Sequence, residues 1–480
     1  MKEITSEPNA SALISSTRSI GYSFESAVAD IIDNSITAQA KNIWIYSPPS
    51  DNPSLAIIDD GHGMNESKLR EAMRYGLNPS DERRLDDLGR FGLGMKIASL
   101  SQCRKLTVIS KSIGCEIVAF RWDLDKVIRD NNWTLLMLEE NEISNLEIIS
   151  KLKSLQSGTI VLWENLDRVT DKTKEIKDCI ADHLIITREH IAMTFHRFMD
   201  EEALPNKLNM FVNGSIVEPA DPFLTHHPTT EKLPEQTINI AGNQIKLKPF
   251  VLPPVSKLSP ADSKLIGGKE QLRRLQGFYV YRNKRLILPG TWFKLTSSKE
   301  LRKLARVRVD IPNTLDFIWD IDIKKSSATL PPQLRNNFVQ ILPNVIARSE
   351  KIHNFGGRNI NDMGKTYVWN KLEQRDQYQY VLNRHHPILQ NLLSEINEDS
   401  KRDLENFLRI IESSVPFTSI YNDISSAKNI STDMTDEEHD QLLALGIELS
   451  KSIGITLLEK TEPYCNNPKI IEKIKEYEVR

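Results

Sequence analysis

Three short segments carry side chains whose types and spacing could do chemistry together. The first is Ala29-Asp30-Ile31-Ile32-Asp33-Asn34-Ser35, where apolar residues recur at helical spacing and Asp30 and Asn34 share one face. A carboxylate and an amide oxygen so placed can hold Mg²⁺, which prefers hard oxygen ligands and keeps several waters, and can orient one of those waters. The second segment is Leu55-Ala56-Ile57-Ile58, a β-favouring run that ends in Asp59-Asp60-Gly61-His62-Gly63-Met64. Asp59, at the end of a buried strand, offers an acceptor to an exocyclic amine such as that of adenine. Gly61 and Gly63 let the backbone approach a flat base without a Cβ in the way. The third is Gly89-Arg90-Phe91-Gly92-Leu93-Gly94-Met95-Lys96, ahead of an apolar helix. Its glycines expose N–H groups where the helix dipole favours phosphate, and Lys96 can add a charge. Singly, these segments read as a turn and a second loop, and a glycine-rich hexapeptide is a weak signal. In this order and at this spacing they read as a site for ATP and Mg²⁺.

The elements that must position these residues follow from the pattern around them. Lys41 to Tyr46 alternates as a strand. Lys105 to Ser110 and Cys115 to Arg121 read as paired strands with Gly114 at the turn, and Gly158 to Trp163 as another strand. The polar, breaker-rich stretch from Arg74 to Leu88 reads as a lid, since lids need few buried contacts. Lys177 to Glu201 is rich in helix formers. Its His183, His190 and His196 read as surface or core histidines rather than metal ligands or phosphate acceptors.

At these residues the chain resembles the gyrase, heat-shock chaperone, histidine kinase and MutL (GHKL) superfamily of ATPases, with its nearest likeness in the microrchidia (MORC) and MutL branches. The resemblance implies an α+β Bergerat ATP-binding sandwich, with ATP under a mobile lid. By motif, Asn34 resembles the family's Mg²⁺-binding Asn and Asp59 its adenine-binding Asp, with Gly61, Gly63 and Met64 beside the base. The run from Gly89 through Arg90, Phe91, Gly92, Leu93, Gly94 and Met95 to Lys96 resembles the phosphate-binding end of the lid. Thr159, in Ser157-Gly158-Thr159-Ile160-Val161, fits the later Gly-Thr element that supports the adenine contact. The family's general base is usually Glu four residues before the Asn. Asp30 stands there, and its shorter reach leaves binding better supported than turnover.

The same resemblance implies a ribosomal-S5-like α/β transducer domain after the ATP module, with a lysine that reaches the γ-phosphate. Lys324 and Lys325, which end an apolar run before a Ser/Thr/Pro loop, are the candidates. The expected divisions are 1–203 for the ATP-binding domain, 204–350 for the transducer and 351–480 for a mainly helical dimerisation or partner-docking region. Met210-Phe211-Val212, with the turn Asn213-Gly214, reads as the opening of the second unit, and the pattern changes to helices after Pro343. Thr435-Asp436-Glu437-Glu438 is a capping box before a leucine-rich helix that stops near Gly454, and His385-His386-Pro387 reads as a helix start.

At 480 residues there is room for about three domains of ~150 residues each. A net charge of −3 favours no class of partner, but its distribution is uneven. Basic residues gather between Lys269 and Arg308, with Arg282, Lys284 and Arg285 among interleaved aromatics. That run reads either as a phosphate-contacting face for DNA or as a solvated basic surface. Cys103, Cys115, Cys179 and Cys465 show no metal spacing and read as reduced, mostly buried thiols. There is no signal-peptide pattern and no apolar run near the ~18 residues of a membrane span, so a cytoplasmic protein is expected.

The leading expectation is an ATPase that closes as a homodimer on Mg-ATP and acts on DNA. The MORC likeness implies phage defence or restriction, with a nuclease or helicase partner. A non-hydrolysing ATP-sensing scaffold or chaperone is the alternative, made plausible by Asp30. A histidine-type protein kinase is disfavoured by domain order.

Overall fold

The computed structural model describes residues 9–19, 21–50, 52–75, 94–169, 175–240, 242–298, 300–316, 318–319, 329–354, 364–374, 377–425 and 435–478. It divides into two compact units, 1–350 and 351–480.

In the first unit the helices include α1 (Ala10–Arg18), α2 (Phe24–Thr37), α3 (Glu66–Met73), α4 (Gly94–Gln102), α5 (Leu124–Asp130), α6 (Glu140–Ser144), α7 (Ile149–Ser154) and α8 (Ile176–Thr194). The first sheet is made of β1 (Asn42–Tyr46), β2 (Ser54–Asp59), β3 (Lys105–Lys111), β4 (Val118–Asp123), β5 (Leu136–Met137), β6 (Gly158–Glu164), β7 (Asn209–Val212) and β8 (Ser215–Ile216). Their order across the sheet is β5–β4–β3–β6–β2–β1–β7–β8. Only β1 and β7 run parallel among these described pairs. The hairpin at Met210, expected to open a new unit, instead extends this sheet beside β1.

Strand alternation explains how one sheet serves two cores. On β6, Val161 and Trp163 face α2, α4 and α8, whereas Ile160 and Leu162 face the layer containing α6 and α7. Ser23 caps α2 through the N–H of Ser26, and the helix then buries Ala27, Val28, Ile31 and Ile32 against the sheet. Helix α1 packs on the same unit: Ile14 is buried, and Arg18 donates from Nε to the Leu100 carbonyl at 2.8 Å.

A second sheet follows, built from β9 (Glu231–Lys232), β10 (Gln236–Ile240), β11 (Asn243–Val251), β12 (Gly277–Arg282), β13 (Arg285–Thr291) and β14 (Ala305–Ile311). Its order is β10–β11–β14–β12–β13, with β9 on β11. Asn283 and Lys284 turn the β12–β13 hairpin with φ of 47° and 71°. This tight turn places Arg282 opposite Arg285, a like-charge pair that a sheet tolerates only if each cation finds an anion. Each does so in the interior. Arg282 donates from Nε and Nη2 to Asp316 at 2.7 and 2.8 Å, and Arg285 donates from Nε to Asp33 at 2.9 Å.

The expected DNA-contacting face is therefore corrected at its centre. Arg282 and Arg285 are buried, as are Lys303 and Arg306, and only Lys284 of the hairpin trio is exposed. Desolvated arginines matched to carboxylates cannot meet a phosphate backbone from that surface. The second sheet also meets the short helix His196–Met199 that follows α8. Arg197 pairs with Asp310, and His196 Nε2 lies 2.8 Å from the Tyr281 hydroxyl. The helix Arg335–Asn354 runs through Pro343, so the expected change of pattern there falls inside a helix.

The second unit contains a hairpin, Trp369–Gln374 with Gln377–Leu382, and helices that include Pro387–Glu395, Glu398–Ser413, Asp436–Ile453 and Pro468–Glu478. Thr435 and Glu438 form a reciprocal capping box, and Gly454 ends that helix. Leu449, Leu458, Tyr464, Ile470 and Ile474 make a small core. Cys103 and Cys179 are buried, Cys465 is half-buried and Cys115 is exposed, all as free thiols. No helix among the described residues is long and apolar enough to cross a membrane.

Tyr281→Phe removes the hydroxyl that meets His196 and should lower stability by about 0.5–1.5 kcal/mol in denaturant unfolding. An unchanged midpoint would mean that this contact contributes nothing to docking the second sheet.

Candidate functional site

Asp59 ends β2 and is almost fully buried. Its Oδ2 accepts from the Ser35 hydroxyl at 2.9 Å, and its Oδ1 accepts from the Gly61 N–H at 2.9 Å. Ser35 immediately follows Asn34 on α2, so this contact brings two segments distant in the sequence into one site. A carboxylate has lone pairs to spare after two such bonds and can still accept from a ligand. Burial raises its pKa from 3.8 to about 6, against the lowering effect of the bonds from Gly61 and Ser35, and the neighbouring Asp60 charge adds to the rise. Asp60 has a different task. Its carboxylate accepts from the Lys41 and Asn42 N–H groups and from the Asn42 side chain, tying the loop to the start of β1.

The glycines around Asp59 are required first by the chain itself. Gly63 sits at φ +64°, and a Cβ there would lie 1.9 Å from the Lys111 carbonyl oxygen. A Cβ on Gly61 would lie 2.7 Å from the Ala38 carbonyl oxygen. The close approach expected toward a base is thus already an approach of backbone to backbone. Thr159 on β6 stands opposite Asp59 in the ladder, and its hydroxyl lies 2.9 Å from Ser110 Oγ. Ser110 in turn accepts from the Met64 N–H at 2.8 Å, which fixes the end of the glycine loop.

On α2, Asp30 is buried and accepts at Oδ2 from the Tyr22 hydroxyl at 2.9 Å. Arg285 Nη2 lies 3.7 Å from its Oδ1. Asn34, one helical turn on, is exposed. The first described turn of α4 comes close to this carboxylate: a Cβ on Gly94 would lie 3.7 Å from Asp30 Oδ2. The start of the apolar helix and the acidic face of α2 therefore meet. An open amide oxygen beside a carboxylate suits Mg²⁺ bound together with a triphosphate, because that ion takes few ligands from the protein itself.

Lys96 departs from expectation. It is buried, and its Nζ donates to the carbonyls of Ala72 and Arg74 at 2.8 and 2.5 Å, rather than standing open toward a phosphate. Burial lowers its pKa to about 8. It secures the end of α3, where the expected lid begins. Met95 packs partly buried against the main core. Gly89, Arg90, Phe91, Gly92 and Leu93, the lid residues 76–88, and Lys324 and Lys325 lie outside the described residues. His190 is held largely neutral, its pKa lowered to about 4 by burial and then by Arg285.

Sequence reasoning missed Ser35, Tyr22, Asp33 and Ser110, which hold the candidate residues in place. Only Ser35 carried a signal, as a hydroxyl one position beyond Asn34; the others depend on tertiary contacts.

Residues 22–159 match the family model described as Histidine kinase-, DNA gyrase B-, and HSP90-like ATPase. No curated protein matches the chain. The match supports a GHKL-type ATP-binding domain over the stretch that holds Asp30, Asn34, Asp59 and Thr159.

The raised pKa of Asp59 has two opposite consequences. Without ligand, its contribution to stability is fully present below the unfolded pKa of 3.8 and is lost as pH rises through about 6. Adenine needs the ionised form as acceptor, so ATP affinity should fall as pH drops through about 6. Comparing ATP affinity in wild type and Asp59→Asn across that range cancels titration of the nucleotide itself. The ratio should favour wild type above pH 6 and shrink below it, whereas a constant ratio would remove Asp59 from adenine recognition.

Proposed function

We propose that this protein binds ATP with Mg²⁺ and hydrolyses it slowly to ADP and phosphate. The observation that carries this reading is the contact of Ser35 with Asp59, which places a buried acceptor for adenine beside the helix bearing Asp30 and Asn34. In this reading Asp59 accepts from the adenine amine, and Thr159 supports it from the neighbouring strand. Asn34 offers its exposed amide oxygen to the metal. Asp30 accepts a proton from the attacking water, held in orientation by Tyr22. Magnesium, when bound with the nucleotide, supplies neutralisation of phosphate charge. Lys324 or Lys325 steadies the transferring phosphoryl group, and the lid with Gly89 to Gly94 covers the phosphates.

The likeness to MORC and MutL ATPases supports a wider role: two subunits close on ATP and act on DNA, in phage defence or restriction, alongside a nuclease or helicase. In that reading 351–480 docks a partner or a second subunit, and DNA is met by a surface other than the Arg282–Arg285 turn. One observation favours a second reading, a non-hydrolysing ATP sensor. Asp30 is shorter than the usual Glu and is already engaged by Tyr22, which limits its reach toward water.

Steady-state phosphate release separates the two readings. Wild type should turn over slowly. Asp30→Ala should retain ATP binding while kcat falls about 100-fold or more, and Asn34→Ala should lose the Mg²⁺-dependent part of binding. Equal release by wild type and Asp30→Ala would take Asp30 out of the reaction.

A further inference from the structure

The hydrolytic reading gives no role to the buried cation that enters the acidic face of α2. Arg285 begins β13 on the second sheet, yet its side chain enters the acidic face of α2 and is 3% exposed. Its Nε donates to Asp33 Oδ1 at 2.9 Å, and its Nη2 lies 3.7 Å from Asp30 Oδ1. The guanidinium also lies over the Phe195 ring, 5.7 Å from its centroid. Asp30 and Asp33 are buried as deeply as Arg285. Burying one cation and two carboxylates gains little over apolar packing, because desolvation offsets the attraction. Nor is the trio needed to hold the second sheet against the helices, since Arg197 with Asp310 and His196 with Tyr281 also do so.

What the trio does define is the setting of Asp30. A general base works only within hydrogen-bond reach of the proton it takes, and an aspartate has one methylene less with which to find it. One oxygen of Asp30 is fixed by Tyr22, which lies just before α2 in the sequence, and the other faces Arg285. At 3.7 Å the second contact is too long for a hydrogen bond, so Arg285 acts on Asp30 by its charge, from a position anchored firmly by Asp33. We propose that Arg285 is a positioning residue: the second sheet sets the carboxylate of Asp30 through Arg285 and Asp33, so that water activation depends on that sheet being seated against α2. This rests on the hydrolytic reading above and adds to it a residue 252 positions away from Asp33.

The test uses the full chain and reads kcat, KM and Mg-ATP binding for wild type, Arg285→Gln, Arg285→Lys and Asp316→Asn. Asp316→Asn is the control for damage to the hairpin, since it breaks the buried pair with Arg282 at the same turn. Arg285→Gln should keep KM and ATP affinity within about threefold while kcat falls about 10- to 100-fold, the range for loss of a supporting partner. Arg285→Lys should recover part of kcat, because it restores charge without the planar fork. Asp316→Asn should unfold earlier yet keep the wild-type kcat. A wild-type kcat in Arg285→Gln, or a fall in kcat matched by Asp316→Asn, would overturn the proposal. Should Arg285→Gln fail to fold, Arg285→Lys decides: a reduced kcat at unchanged KM supports the proposal and an unchanged kcat overturns it. If wild type binds ATP and releases no more phosphate than Asp30→Ala, the hydrolytic reading itself has failed, and this role falls with it.

Discussion

A carboxylate buried at the end of a strand is the constraint around which the first unit is arranged. Asp59 must be surrounded by donors or it could not remain a carboxylate there, and the fold supplies them from separate elements. Ser35 donates from α2 and Gly61 from the following loop, while Thr159 stands beside it on β6. Each donor brings chemistry with it. Ser35 fixes the register of the helix face bearing Asp30 and Asn34, and Gly61 and Gly63 hold a loop so tight that backbone alone occupies it. The polar site and the packing of the sheet are therefore one arrangement.

The second sheet enters the same arrangement through charge. Its hairpin turns two arginines inward, and each is matched by an aspartate, one on its own side and one on α2. The acidic face of the helix is thus held in part by a strand more than 250 residues further along the chain. Contacts at Arg197 and Tyr281 keep the two layers together. These contacts are the physical basis of the proposed coupling between α2 and the placement of the second sheet.

How much of this was legible in the sequence depended on whether a signal was local. The strand runs around β1, β2, β3 and β6 are local signals and could be read directly, whereas Thr159 beside Asp59 was reached through the family resemblance, because the pairing of β2 with β6 is a tertiary contact. The capping box at Thr435 is likewise a local device, and it marks its helix correctly. Lys96 misled because a lysine at a glycine-rich helix start has the right chemistry for phosphate, while its actual partners are carbonyls at the end of another helix. Arg282 and Arg285 misled more deeply: a run of basic residues predicts a surface only when no buried acids wait for it. Asp33 and Asp316 do, and no spacing rule reveals them. The hairpin at Met210 followed turn chemistry correctly, but its choice of sheet was settled by pairing with β1.

The most direct test of the account is nucleotide discrimination at Asp59, measured by calorimetric titration of the full chain with ATP and with GTP in the presence of Mg²⁺. Adenine presents an amine where guanine presents a carbonyl oxygen, and a buried acceptor should tolerate only the first. A site built to hydrogen-bond a donor rejects an analogue lacking it by a factor of about 10⁴ or more when fully buried. The account predicts saturable, Mg²⁺-dependent binding of ATP with GTP binding far weaker. Equal affinity for the two, or no binding of ATP, would contradict it.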